Sequence, residues 1–117
     1  MRRPRDRQSL LDIRANITLI QEFIAGVTWE AFRADIGRQY QVIHGLEIIG
    51  EAARRLSPAA CATIPAVPWQ DWIAFRNRLS RTYDDVNLEI VWDTVMLELP
   101  SLALAVDEAL RRKLPGE

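Results

Sequence analysis

The chain has 117 residues, 49% hydrophobic and 26% charged, with a formal net charge of -1. That length suits one domain around one core, and the near-neutral balance excludes a bulk attraction to nucleic acid, so any RNA contact must be local. One cysteine, Cys61, and one histidine, His44, exclude an intrachain disulfide, a cysteine zinc cage and a histidine metal cluster. No metal or cofactor is expected. No run approaches the roughly 18 apolar residues of a membrane span, and the opening "MRRPRDRQ" lacks the apolar stretch of a signal peptide. A soluble, cytoplasmic protein is expected.

Residues 1–8 read as a flexible basic arm carrying Arg2, Arg3, Arg5 and Arg7, and residues 9–113 as one helical domain. The spacing of Leu10, Ile13, Ile17, Ile20 and Ile24 predicts a first helix from about Gln8 to Ala25, stopped by Gly26. Thr28 has the chemistry of an N-cap, with Glu30 in the first turn and Val27 and Phe32 at staple spacing. A second helix is predicted from Trp29 to about Leu56. Trp29, Phe32, Ile36, Ile43 and Leu46 form its stripe, widened by Val42, Ile49, Ala53 and Leu56.

Three prolines break the pattern between Ser57 and Pro68. Pro68 suits the start of a third helix running to about Ser80. Asp84, Asp85 and Asn87 supply turn and capping chemistry. A fourth helix then runs from Leu88 towards Lys113, kinked or split near Pro100, which lacks the amide the ladder needs. The expected fold is all-α, an antiparallel four-helix bundle.

The stretch "AFRNRLSRTY", Ala74 to Tyr83, sets an arginine inside an apolar pattern. On a helical wheel, Trp69, Trp72, Ile73, Phe75, Arg76, Leu79, Ser80 and Tyr83 fall on one arc, with Arg76 near its centre. Asn77 lies at the edge, and Asp71 and Arg78 lie opposite. A guanidinium there must meet an anion or backbone carbonyls, or open into a cleft or a dimer groove. One possibility is an internal pair with Glu47 or Glu51. The other is that Arg76 and Asn77 bind a phosphodiester, for which arginine offers two parallel donors and a permanent charge. The stripes of the second helix, and Trp69, Trp72 and Phe75 on the third, exceed the needs of a narrow core and point to a second subunit. A two-fold axis could bring two Arg76 side chains to one groove.

These residues resemble the motif of the HepT-like proteins in the HEPN superfamily: arginine, a polar residue, three more positions, histidine, any residue, tyrosine. Arg76, Asn77 and Tyr83 match it. "GLEIIGEAARRL", Gly45 to Leu56, resembles the family's second-helix signature, and "DDVNLEIVWDTV", Asp84 to Val95, its approach to the last helix. The resemblance spans about Leu10 to Leu110. It implies a small helical bundle that pairs as a homodimer and acts on RNA as a metal-independent ribonuclease toxin of a type VII toxin–antitoxin pair. It also implies that Tyr83 is adenylylated by a minimal nucleotidyltransferase antitoxin. Arg81 stands where the family has its histidine. Imidazole moves protons near neutrality, whereas a guanidinium stays charged and cannot act as a general base. The chain as written is therefore expected to be an impaired nuclease, with Arg81 either natural or a silencing substitution. The alternative is a non-catalytic helical dimer that binds a nucleotidyltransferase. His44, on the second helix, reads as a surface or hydrogen-bonded histidine and not as a relocated base.

Overall fold

The computed structural model describes residues 5–81 and 86–117, which contain helices and no strand. Four long segments form the bundle: α1 (Asp6–Ile24), α3 (Ile36–Arg55), α5 (Trp69–Arg81) and a composite last helix. The last helix consists of α6 (Leu88–Asp93), a π-helical turn over Thr94–Glu98 and α7 (Leu99–Leu110). Two short helices, α2 (Trp29–Ala34) and α4 (Pro58–Ala62), occupy the connections.

Each long helix runs antiparallel to its neighbours. The start of α1 meets the end of α3, where Asp6 accepts from Ser57. The end of α1 meets the start of α3, where Arg38 donates to the Phe23 carbonyl. Arg14 on α1 pairs with Asp107 on α7. Phe75 and Leu79 on α5 face Ile90 and Val91 on α6 across a small cavity.

The core follows the predicted stripes. Leu10, Ile13, Ile17 and Ile20 of α1 are fully buried against Val42, Leu46 and Ile49 of α3 and Leu99 and Val106 of α7. Gly26 adopts φ 72°, the left-handed stop that suits glycine. Thr28 caps α2 by accepting from the Ala31 amide, and Asn87 caps α6 by accepting from Glu89 and Ile90. Asp84 and Asp85, expected to contribute to the turn before α6, lie outside the described residues. Trp29, Phe32 and Trp92 pack with ring centroids 5.2–6.3 Å apart, tying α2 to α6.

The structure corrects three expectations. The predicted second helix is two. Asp35 leaves helical geometry at φ -112°, ψ 91°, and its carboxylate accepts from the Arg38 amide, so it closes α2 and caps α3. The break changes the phase, and Ile36, placed on the buried stripe by sequence, is exposed. The proline-rich connection also contains a helix, α4, capped by Ser57 and opened by Pro58.

Third, α1 begins within the segment expected to be an arm, the first half of which lies outside the described residues. Asp6, Arg7 and Gln8 already belong to α1. Asp6 is buried and accepts from both the amide and the hydroxyl of Ser57, at 2.8 and 2.7 Å. Arg7 donates to the carbonyls of Leu110 and Arg112 and forms a two-pronged pair with Glu117, both contacts at 2.7 Å. It thereby satisfies carbonyls at the end of α7 that have no helical partner.

Those Arg7 hydrogen bonds, aided by the Leu114 amide, push the Glu117 carboxyl down to about 2 from 4.5. A carboxyl lowered in the folded state contributes stability above its unfolded value and loses it as pH falls through the folded one. Arg7→Ala should therefore melt below the parent at neutral pH, and the gap should narrow between about pH 4.5 and 2. A gap that stayed constant across that range in thermal melts would show that the pair contributes nothing.

The break near Pro100 also has a clear geometry. The Leu99 amide donates to the Thr94 carbonyl, one residue further back than in an α-helix. The wide turn lets α7 restart with Pro100 in its first turn, where a missing amide costs little. Among the described residues, no helix is long and apolar enough to cross a membrane.

Candidate functional site

Helix α5 starts where the Pro68 carbonyl accepts from the Asp71 and Trp72 amides. Its apolar arc enters the core as the wheel predicts: Trp69, Trp72 and Leu79 are buried, and Ile73 and Phe75 are partly so. The two tryptophans are thus taken up by the chain's own core and are not left for a second subunit.

Arg76 sits on this arc facing α3. A β-carbon built on Gly50 would lie 2.2 Å from the Arg76 β-carbon and 3.2 Å from the Trp72 carbonyl oxygen. Only a residue without a side chain allows the two helices to approach this closely. The approach brings Arg76 Nη2 to 3.4 Å from Glu51 Oε2, while Nη1 donates to the Asn77 side-chain oxygen at 3.3 Å. Of the two acids named from sequence, Glu51 is thus seen to pair with Arg76. The pair is not sealed, since 34% of the Arg76 side chain remains accessible.

Glu51 is shared. Arg54 grips it through Nη2 at 2.7 Å and Nε at 3.2 Å, and Arg55 Nε approaches to 3.6 Å. The Arg54 hydrogen bond, followed by the attraction of Arg54, Arg76 and Arg55, outweighs partial burial and holds the Glu51 carboxyl below its ordinary range. In turn Glu51 raises the Arg54 guanidinium. A carboxylate held this firmly in its charged form is a poor general base near neutrality. The three guanidiniums of the cluster present donors that can meet the oxygens of an anion.

Asn77 is exposed beside Arg76. Arg81 ends α5, its backbone about 7.5 Å further along the axis than Arg76. Tyr83 lies outside the described residues. His44 is exposed on α3, about 10 Å along the axis before Glu51. Among the described residues, no three acidic, histidine or cysteine side chains converge where a metal ion could sit. Sequence reasoning missed Gly50, Arg54 and Arg55. The run Gly50-Glu51 followed by Arg54-Arg55 was visible, but a wheel of α5 alone does not show what faces it.

The model of the HepT-like ribonuclease family matches residues 13–109. This chain belongs to the HepT-like ribonuclease family. Among its relatives, the protein named "Probable ribonuclease HepT" of Thermococcus cleftensis is 37% identical over 80% of this chain and 84% of its own length. A protein of Methanocaldococcus jannaschii named as a candidate RNase is 33% identical over 90% of this chain and 87% of its own. Another, of Caldanaerobacter subterraneus, is 33% identical over 79% of this chain and 82% of its own. No solved structure matches the chain at a significant level. The HepT-like match covers all of α2 to α6, and so includes Glu51, Arg76 and Asn77.

Proposed function

We propose that this HepT-like chain is the toxin component of a type VII toxin–antitoxin pair. It binds RNA through Arg76 and Asn77, and its cleavage is impaired because Arg81 occupies the position of the family histidine. The observation that carries the reading is the openness of Arg76. An arginine on the apolar arc of a core helix keeps one-third of its side-chain surface accessible, beside an exposed amide.

In this reading Tyr83 is the control point. A minimal nucleotidyltransferase antitoxin transfers AMP from ATP to its hydroxyl and releases pyrophosphate. The added negative charge and bulk, seven residues after Arg76 in the chain, repel and obstruct RNA. With the cognate transferase and ATP, intact mass should rise in AMP steps, and Tyr83→Phe should abolish the rise. An unchanged mass for the parent chain would remove the antitoxin part of the reading.

The functional unit is a cytoplasmic homodimer. Its support differs from the sequence argument. Of the exposed large apolar side chains, Ile90, Met96, Leu97 and Leu104 share the last helix, beside Leu11 and Leu19 on α1 and Ile36 and Tyr40 on α3, whereas the tryptophans of α5 are buried. A second reading is a non-catalytic dimer that docks the same transferase. The fixed charge of Arg81 favours it, because guanidinium cannot take a proton. Cleavage by Arg81→His separates the two.

A further inference from the structure

Arg54 and Arg55 stand in the last turn of α3, where cations complement the helix dipole. That accounts for their sign but not for their arrangement. With Arg76 they converge on one carboxylate from two helices. Each guanidinium carries about five N–H donors, and a carboxylate offers about four lone-pair sites. Arg54 commits two donors to Glu51, and Arg55 reaches it only at 3.6 Å. Both side chains stay open to solvent, at 59% and 61% exposure. Next to Arg54, a cleft of about 560 Å³ runs between α3, α4 and α5, bordered by Leu56, Pro58 and Trp69.

We propose that Arg54 and Arg55 form a second phosphodiester subsite. They would hold the phosphate next to the one at Arg76, so that a single RNA strand crosses the α3–α5 seam over Glu51. The inference rests on the RNA-binding reading of Arg76 and names where the strand goes next. Glu51 spaces the three forks. Without it, three like charges this close would splay apart. With it, they remain poised, and the donors of Arg54 and Arg55 that Glu51 leaves unused can meet the two non-bridging oxygens of a phosphodiester.

The test is binding of a fluorescently labelled single-stranded oligouridylate to the full chain over a range of KCl concentrations. Each phosphate neutralised on a single strand contributes about 0.7 to the slope of log affinity against log salt. Arg54→Ala/Arg55→Ala should weaken binding and lower the slope by about 0.7. Arg54→Lys/Arg55→Lys should keep most of it. Arg33→Ala, on α2 at the far end of α3, should leave it unchanged.

The same loss should appear in a Glu51→Gln background. If Glu51→Gln instead restores the slope, the two arginines serve only to draw the acid away from Arg76, and the subsite is overturned. An unchanged slope in the double variant, while Arg76→Ala still abolishes binding, removes the subsite and leaves the Arg76 reading intact. No binding by the parent chain removes both. Helical circular dichroism matching the parent makes a loss of slope attributable to lost contacts.

Discussion

Arg81→His should turn this chain into a measurable endoribonuclease. A positioned proton carrier contributes about 10²–10⁴-fold to such reactions, and in the proposed reading this is the step that Arg81 does not supply. Arginine remains protonated well beyond neutral pH, whereas imidazole, with an ordinary value of about 6.5, both accepts and donates there. Arg76 presents an open fork with the Asn77 amide beside it, and α5 extends unbroken to residue 81. The new activity should follow the histidine, rising through its titration and falling when the opposite protonation state is lost. Arg81→Ala should remain inert, and adding Arg76→Ala to Arg81→His should abolish the gain. An Arg81→His chain that folds, binds RNA and still cleaves nothing would end the silenced-enzyme account in favour of the docking module.

Gly50→Ala should be the most damaging glycine-to-alanine change among the described helical glycines. The added carbon would stand 2.2 Å from the Arg76 β-carbon and 2.8 Å from its γ-carbon. A β-carbon has no rotamer by which to retreat, so α3 and α5 must separate. Overpacking of this kind costs about 1–3 kcal/mol, and the helix propensity gained from alanine returns at most about 1 kcal/mol. A melting temperature lower by about 4 °C for each kcal/mol of net loss is expected in a domain of this size. RNA binding should fall further than stability, because the separation carries Arg76 away from Glu51. Gly45→Ala is the internal comparison. Its new carbon meets only side-chain atoms of Ile20, at 2.7 and 2.8 Å, which can rotate aside, so the loss should be smaller. Equal melting curves for Gly50→Ala and the parent would refute the close-approach argument.

Periodicity made the long helices legible because their apolar residues repeat cleanly at three and four. It did not reveal the break at Asp35, because Phe32, Ile36 and Ile43 keep helical spacing across a single non-helical residue. Only the capping chemistry of Asp35 marked the interruption. The segment after Ser57 was read as a breaker on the strength of its prolines, although Ser57-Pro58 is also a helix start. Asp6 and Arg7 looked like part of a solvated arm because their partners are remote in the chain, at Ser57, Leu110, Arg112 and Glu117.

The same limit governed the site. Arg76 was legible as an anomaly within one helix, and its partner was narrowed to two acids. Seeing that Glu51 pairs with it required the close approach at Gly50, which belongs to the pairing of two helices and not to either alone. The convergence of Arg54 and Arg55 on the same acid follows from that pairing as well.

The wide turn before Pro100 also constrains how another protein can lie against the last helix. Ile90 and Leu104 are two heptads apart and, in a continuous rod, would mark one coiled-coil seam. A turn with one extra residue rotates the lower half by roughly a quarter turn relative to the upper, so the two side chains no longer line up. A straight helical partner cannot track both, and a matching copy must cross this helix obliquely, engaging one half at a time.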